Sequence, residues 1–286
     1  YEAGWFGAEI QYSGNNSPVS KPLLTDDCKH LLFEKGIQDP FSNLMAKGRQ
    51  YYEHFVAVKQ KGFTYKNRPL NQISVGWLGT DGPMTLACDL RGTENFALDL
   101  YEDPDYALQL LEYITEATIQ RVKAWRRYLG QPEKSPGYAF ADDSIVLLSV
   151  EDYRHFILPF HRRLVEELST GELPNSIHLC GDASRFFSLI RDELNVREFD
   201  TGFPIDHGKL VRTLGPDVRI NGGPKVDLLL HGSPQQVKEE TRRIIEEVKP
   251  HNRRFVMREA NNLSPRTPEA NLKAMYETVK EYGDYQ

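Results

Sequence analysis

Short apolar segments of strand length alternate with helical segments through the last three-quarters of the chain, and this alternation limits the possible folds. The predicted strands cover residues 73–77, 138–141, 176–180, 196–200, 218–221 and 255–258. The predicted helices cover residues 104–128, 150–168, 184–194, 234–248 and 268–282, with a shorter one from His207. Since strands joined by helical crossovers run parallel and are covered by helices, the pattern predicts an α/β fold with a parallel sheet.

Glycine-rich phosphate motifs are typical of many doubly wound sheets. The chain has neither G-x-G-x-x-G nor G-x-x-x-x-G-K-[ST] at a strand-to-helix turn. We therefore expect a (β/α)8 barrel of the TIM type in one domain, residues 1–286, with an irregular part over 1–70 and regular β/α units over 71–286. Because the chain opens on Tyr1, we expect an N-terminal element to be missing. Either upstream residues or a homodimer would then cover the exposed sheet edge.

The composition argues against two classes of partner. The net charge is −6 and no basic stripe is visible, which is not typical of nucleic-acid binding. With 40% hydrophobic residues, no apolar run approaches the ~20 residues that a membrane-spanning helix requires. Three scattered cysteines, Cys28, Cys88 and Cys180, are too few for a disulfide framework and favour a reducing cytoplasm.

The segment Ser-Ile-His-Leu-Cys-Gly-Asp at 176–182 carries the most informative side chains. His178 and Cys180 point to the same side of a strand because side chains alternate with period two. In a barrel, the end of such a strand opens onto the face where active sites lie. An imidazole beside a thiol indicates a zinc ligand pair or a cysteine nucleophile activated by histidine. The third alternative is a cysteine that serves as a small buried hydrophobic residue.

Carboxylates stand at the ends of three predicted strands. Asp142 and Asp143 follow residues 138–141. Adjacent side chains point in different directions, so one of the two at most enters the barrel mouth. An acidic helix cap is the alternative interpretation of this pair. Asp200 ends a later strand and Glu259 follows the last one, which makes both candidates for ligands or substrate-orienting groups.

Several motifs occur in a fixed order along the chain. They are Gly-Pro-Met-Thr-Leu-Ala at 82–87, Ser-Val-Glu-Asp-Tyr at 149–153, His-Leu-Cys-Gly at 178–181, Asn-Gly-Gly at 221–223 and Pro-Arg-Thr-Pro at 265–268. In this order and spacing they resemble the uroporphyrinogen decarboxylase superfamily over nearly the whole length. His-x-Cys-Gly is similar to the branch of cobalamin-dependent methyltransferases. The resemblance implies the same TIM-type barrel that the alternation predicts.

Two chemistries occur in that superfamily. The decarboxylases hold the propionates of a tetrapyrrole with arginines from an N-terminal segment and use no metal, whereas the first arginine here is Arg49. The methyltransferases that the chain resembles bind zinc through the His-x-Cys pair and a later cysteine, where this chain has Asn261. The resemblance thus implies a zinc site that Glu259 or Asp143 completes with an oxygen ligand.

The implied function is metal-dependent transfer of a methyl group between a small methylated substrate, such as a methyl ether, and a corrinoid. The corrinoid would belong to a partner protein, since the chain has no D-x-H-x-x-G motif. The predicted metal ligands are His178, Cys180 and Glu259. The predicted catalytic residues, which orient the substrate or the ligands, are Asp143, Tyr153 and Asp200. A metal-free decarboxylase and a family member without catalytic activity are the alternatives.

Overall fold

The structure is a computed structural model that describes residues 2–12, 18–75 and 80–284. The chain divides into two compact units, with the boundary between Ser135 and Pro136. The single-domain organisation expected from the sequence stays a prediction. None of the helices in the described ranges combines the length and the apolar composition needed to cross a lipid bilayer.

Helices dominate the first unit. They are α1 (Glu2–Phe6), a 3-10 turn (Asp26–Cys28), α2 (Leu31–Lys35), α3 (Asn43–Gln60), α4 (Pro83–Arg91), α5 (Thr93–Glu102) and α6 (Pro104–Tyr128). The strands are β1 (Ile10–Gln11) paired with β2 (Val19–Ser20), β3 (Thr64–Tyr65) paired with β4 (Arg68–Pro69), and β5 (Thr80–Asp81). The predicted helix over 104–128 is confirmed as α6. It begins where the Asp103 side chain accepts from the N–H of Tyr106 and Pro104 occupies the first turn.

Two stretches of this unit differ from the expectation. Residues 43–60, within the part expected to be irregular, form α3. Only Met45 and Gly48 of this helix are buried, so its apolar periodicity is too weak to indicate a helix. Residues 76 and 77 of the strand predicted over 73–77 lie outside the described residues. Residues 73–75 have no regular structure.

Between residues 136 and 284, five parallel strands alternate with helices. The strands are β6 (Ala139–Ala141), β7 (Asn175–Leu179), β8 (Val196–Thr201), β9 (Arg219–Gly222) and β10 (Phe255–Met257). They are neighbours in the order β10-β9-β8-β7-β6, which confirms the predicted parallel sheet. The helices are a 3-10 turn (Asp143–Leu147), α7 (Val150–Asp152), a π turn (Tyr153–Ile157), α8 (Leu158–Leu168), α9 (Phe187–Glu193), α10 (His207–Leu214), α11 (Val226–His231), α12 (Pro234–Val248) and α13 (Glu269–Tyr282).

One face of this sheet is apolar and buried. Phe140, Ile177, Phe199 and Ile220 lie in one row across β6 to β9, because the parallel register pairs each with the next. Phe187 of α9 packs on Phe199, with ring centroids 5.2 Å apart. Alternate residues of the same strands point to the opposite face. The buried row therefore fixes which polar side chains stand together on that face.

His207 begins α10 with its imidazole buried. Its ring meets the ring of Phe255 edge-on, at a centroid distance of 5.5 Å. Neither ring nitrogen has a hydrogen-bond partner within the described part of the chain. Burial lowers the pKa of His207 to about 4, and the charge of Arg243 acts in the same direction. The folded chain thus holds this imidazole neutral at pH values where a free imidazole is protonated.

We expect His207 to make the free energy of unfolding pH-dependent. Between about pH 6.5 and 4 the unfolded chain binds a proton at this residue and the folded chain does not, so stability falls by roughly 2–3 kcal/mol as the pH is lowered. His207→Leu, which cannot titrate, should lose this component. Urea unfolding of both proteins at pH 4.5 and 7.5 measures it. Identical pH dependence in the two proteins would contradict the assignment to His207.

Candidate metal centre

The polar face of the sheet collects its functional groups at the carboxyl ends of β6, β7 and β8. His178 of β7 is opposite Ala141 of β6 and Asp200 of β8. Cys180 follows β7, and its sulfur lies on the His178 side of the strand, as the period-two alternation predicts. A Cβ at Gly202 would lie 2.7 Å from the Cα of Cys180, so a glycine there lets the loops after β7 and β8 approach closely.

Three side chains at these strand ends converge. The ligand atoms of Asp143, His178 and Cys180 all lie within 4.8 Å of one another, and each residue is half-buried. His178 Nε2 is 3.0 Å from Cys180 Sγ and 3.7 Å from Asp143 Oδ1. Imidazole nitrogen, thiolate sulfur and carboxylate oxygen are all donors that zinc accepts in proteins. The donor set of this cluster, which we call the Asp–His–Cys cluster, therefore fits a zinc ion.

The backbone holds the carboxylate of Asp143 in place. The N–H of Cys180 donates to Asp143 Oδ1 at 2.7 Å. Asp143 opens the 3-10 turn directly after β6, while the preceding Asp142 is fully buried elsewhere. One carboxylate of the adjacent pair thus reaches the cluster, which agrees with the prediction that at most one would do so.

Asp200 orients the imidazole of His178. Its Oδ2 is 2.9 Å from His178 Nδ1, and Arg258 Nη1 is 3.4 Å from the same carboxylate. The hydrogen bonds to Asp200 and then to Cys180 raise the pKa of His178 to about 10, against the opposing effect of burial. With Nδ1 engaged by Asp200, Nε2 is directed at the cluster. A carboxylate commonly fixes the tautomer of a metal-binding histidine in this way.

Removing this carboxylate is expected to weaken zinc binding. We expect Asp200→Ala to lower zinc affinity by about 10–100-fold, the usual effect of losing an outer-shell partner of a ligand. Competition with a chromophoric chelator measures the affinity. Glu198→Ala is the matched control, since Glu198 is on the same strand but accepts from Asn221 Nδ2 at 3.0 Å. Equal affinity in the two variants would mean that Asp200 does not support the ligand.

Tyr153, predicted as a catalytic residue, belongs to a hydrogen-bond network that ends at Asp142, the residue before Asp143. Its hydroxyl is 3.0 Å from His161 Nδ1, and His161 Nε2 is 2.8 Å from Asp142 Oδ2. All three side chains are fully buried. Burial raises the pKa of Tyr153, so the phenol keeps its proton at neutral pH. The network ties the π turn and α8 to the residue before Asp143. Sequence reasoning singled out Tyr153 but missed His161.

Glu259 and Asn261 follow β10 and have different partners. Arg258 Nη2 donates to Glu259 Oε1 at 2.9 Å. Among the described residues, Asp143 and not Glu259 belongs to the cluster, and a ligand role of Glu259 stays a prediction. Asn261 Nδ2 donates to Cys180 Sγ at 2.9 Å. The loop after β10 thus supplies a hydrogen bond to Cys180, one of the predicted ligands.

Comparison with known proteins places this geometry in context. A family model described as uroporphyrinogen decarboxylase (URO-D) matches residues 75–282. Methylated-thiol–coenzyme M methyltransferase of Methanosarcina mazei is 31% identical over 207 residues, which cover 70% of this chain and 51% of that protein. Uroporphyrinogen decarboxylase of Gloeobacter violaceus is 29% identical over 135 residues, covering 46% of this chain and 38% of that protein.

A solved structure agrees in fold. A methyltransferase from Methanosarcina mazei superposes with a TM-score of 0.70 and 20% identity, covering 99% of this chain and 77% of that one. Together with the family match, this confirms the predicted fold class, an α/β barrel of the TIM type. The chain spans about half the length of the curated relatives it matches.

Proposed function

The chain belongs to the uroporphyrinogen decarboxylase family, and from this membership we propose that it is a zinc-dependent methyltransferase. In the proposed reaction, a methyl group moves between a small methylated substrate and a corrinoid carried by a separate protein. The 31% identity to a methyltransferase supports the reaction class. The observation that carries the proposal is the Asp–His–Cys cluster, because its three donors meet at the carboxyl end of the sheet.

The residues of the cluster have distinct parts in this proposal. His178 and Cys180 bind the metal, and Asp143 supplies the oxygen ligand, with Glu259 as the alternative. Asp200 keeps His178 Nε2 directed at the metal. When bound, zinc would act as a Lewis acid on the heteroatom that carries or receives the methyl group. Arg258 lies next to Asp200, so a positive charge adjoins the carboxylate that orients His178.

Tyr153 acts in this proposal as a supporting residue. Its phenol is buried and hydrogen-bonded to His161, so it stabilises the segment before Asp143 and does not meet the substrate.

A methyl ether is the preferred donor, since the cluster contains one thiolate and an oxygen ligand and is therefore harder than a site with two thiolates. The corrinoid protein and the methylated substrate are the expected partners.

A second candidate function is a metal-free decarboxylase. It is favoured by the curated relatives of that name, which are 25–29% identical to the chain over part of its length. The two functions differ in their requirement for a metal: a decarboxylase of this kind predicts tetrapyrrole binding and indifference to chelators. A family member without activity, the third alternative, predicts neither metal binding nor substrate binding.

The test of the proposed function is a methyl-transfer assay with zinc-loaded and chelator-treated protein. Free cob(I)alamin serves as the acceptor, and aryl methyl ethers and methyl thioethers serve as donors. We expect methylcobalamin, followed by its absorption spectrum, to form with the zinc-loaded protein and not with Cys180→Ala. Decarboxylation of uroporphyrinogen at equal rates with and without chelator would overturn the proposal in favour of the second candidate.

We propose that the protein is cytoplasmic, because its cysteines are not paired in disulfides. Cys28, Cys88 and Cys180 are all free thiols, and proteins in oxidising compartments more often pair their cysteines. The homodimer expected from the sequence stays a prediction.

A further inference from the structure

The sulfur of Cys180 has a second polar neighbour besides His178. Asn261 Nδ2 donates to this sulfur at 2.9 Å, and Asn261 Oδ1 accepts from the backbone N–H of Asn262 at 2.7 Å. Turning the amide over would place its oxygen against the sulfur lone pairs and its NH2 group against another N–H donor. The two contacts together therefore fix which end of the amide meets the sulfur.

The hydrogen bond from this amide would change the electron density that Cys180 offers to a metal. A hydrogen bond to a ligating sulfur withdraws electron density from it, and such outer contacts tune the metal that the sulfur holds. Cys180 is the one thiol among the three residues of the Asp–His–Cys cluster. A zinc ion held by one hydrogen-bonded thiolate and two harder donors keeps more positive character than an ion held by two thiolates.

We propose that Asn261 is a positioning residue that sets the donor specificity of the site, favouring substrates with the methyl group on oxygen over those with it on sulfur. This inference rests on the proposed function. An ether oxygen is a weak ligand and its departure gains most from a strongly polarising metal. A sulfur donor binds zinc readily at either kind of site and gains less. Asn261 acts through Cys180 and does not touch the reacting atoms.

The first experiment tests the N–H···S bond in the metal-free protein. With selective 15N-asparagine labelling, the side-chain amide resonances of Asn261 and Asn262 are assigned by their loss in Asn261→Ala and Asn262→Ala. We expect Cys180→Ala to shift the Asn261 resonance clearly more than that of the exposed Asn262. Equal shifts of the two resonances would overturn the inference. This readout needs no metal, so it remains decisive if the proposed function fails.

The second experiment counts sulfur ligands in the zinc-loaded protein by X-ray absorption. Zinc–sulfur distances near 2.3 Å are separable from zinc–nitrogen and zinc–oxygen distances near 2.0–2.1 Å. We expect one sulfur in the wild type and two in Asn261→Cys, with one in the matched control Asn262→Cys. No sulfur at the zinc ion of the wild type would mean that Cys180 is not a ligand, and the inference would be wrong.

The third measurement concerns specificity. In Asn261→Ala we expect the ratio of kcat/KM for a methyl ether to that for a methyl thioether to fall by roughly tenfold, the scale of a lost hydrogen bond to a charged group. Asn262→Ala should keep the wild-type ratio. An unchanged ratio in Asn261→Ala would overturn the specificity role. Absence of zinc and of methyl transfer from the wild type would instead count against the proposed function.

Discussion

Asp143→Ala is expected to lower zinc affinity by more than about 100-fold, and the same loss is expected for His178→Ala and Cys180→Ala. Glu259→Ala is expected to retain the metal. The reason is that a lost ligand costs more than a lost outer-shell partner, which is worth 10–100-fold. Asp143 Oδ1 is 3.7 Å from His178 Nε2, while the Glu259 carboxylate accepts from Arg258. Zinc per chain after dialysis, measured by mass spectrometry, gives the result.

The comparison of the two carboxylates decides which of them completes the site. Asp182→Ala is a suitable control, because Asp182 is two residues after Cys180 and its carboxylate accepts from the N–H of Ser184 at 3.2 Å. If Glu259→Ala lost zinc and Asp143→Ala retained it, Glu259 and not Asp143 would be the oxygen ligand. Retention of zinc in all four single variants would contradict a metal site at this position.

The sequence was sufficient for the parallel sheet and for the face of β7 that carries His178 and Cys180. Both follow from local periodicity, because short buried strands alternate with helices and because side chains alternate along a strand. The strand end that carries Asp143 and the helix α12 also follow from such local signals. The helix α12 begins at a capping box formed by Ser233, and its last buried apolar residue is Val248.

The contacts between strand ends could not be predicted in this way. The 2.9 Å contact between His178 and Asp200 depends on the register of two parallel strands, and a one-residue slip would reverse the direction of every side chain. The bond from Asn261 to Cys180 joins residues 81 positions apart. A pattern along one chain gives no distance between such residues, so the partner of the sulfur became apparent only in the folded structure.

The helix α3 was missed for a different reason. Its 18 residues bury little apolar surface, and a helix without a clear apolar stripe has no periodic signal to detect. His161 was missed because a lone histidine on an amphipathic helix has no local feature that indicates a buried acid as its partner. Asp142 is 19 positions away and was considered only together with Asp143. The network of Asp142, His161 and Tyr153 is thus a product of tertiary packing.

His161→Ala is expected to lower the free energy of unfolding by about 3–5 kcal/mol, because it removes the imidazole partner of a fully buried carboxylate. His161 Nε2 is 2.8 Å from Asp142 Oδ2, and little water reaches Asp142 to replace the lost contact. Tyr153→Phe removes one hydrogen bond at the far end of the network and should cost only about 1 kcal/mol.

Urea unfolding of the metal-free proteins gives both values without a contribution from zinc. If His161→Ala were no more destabilising than Tyr153→Phe, the Asp142–His161 pair would not be what holds the end of β6 and, with it, the position of Asp143.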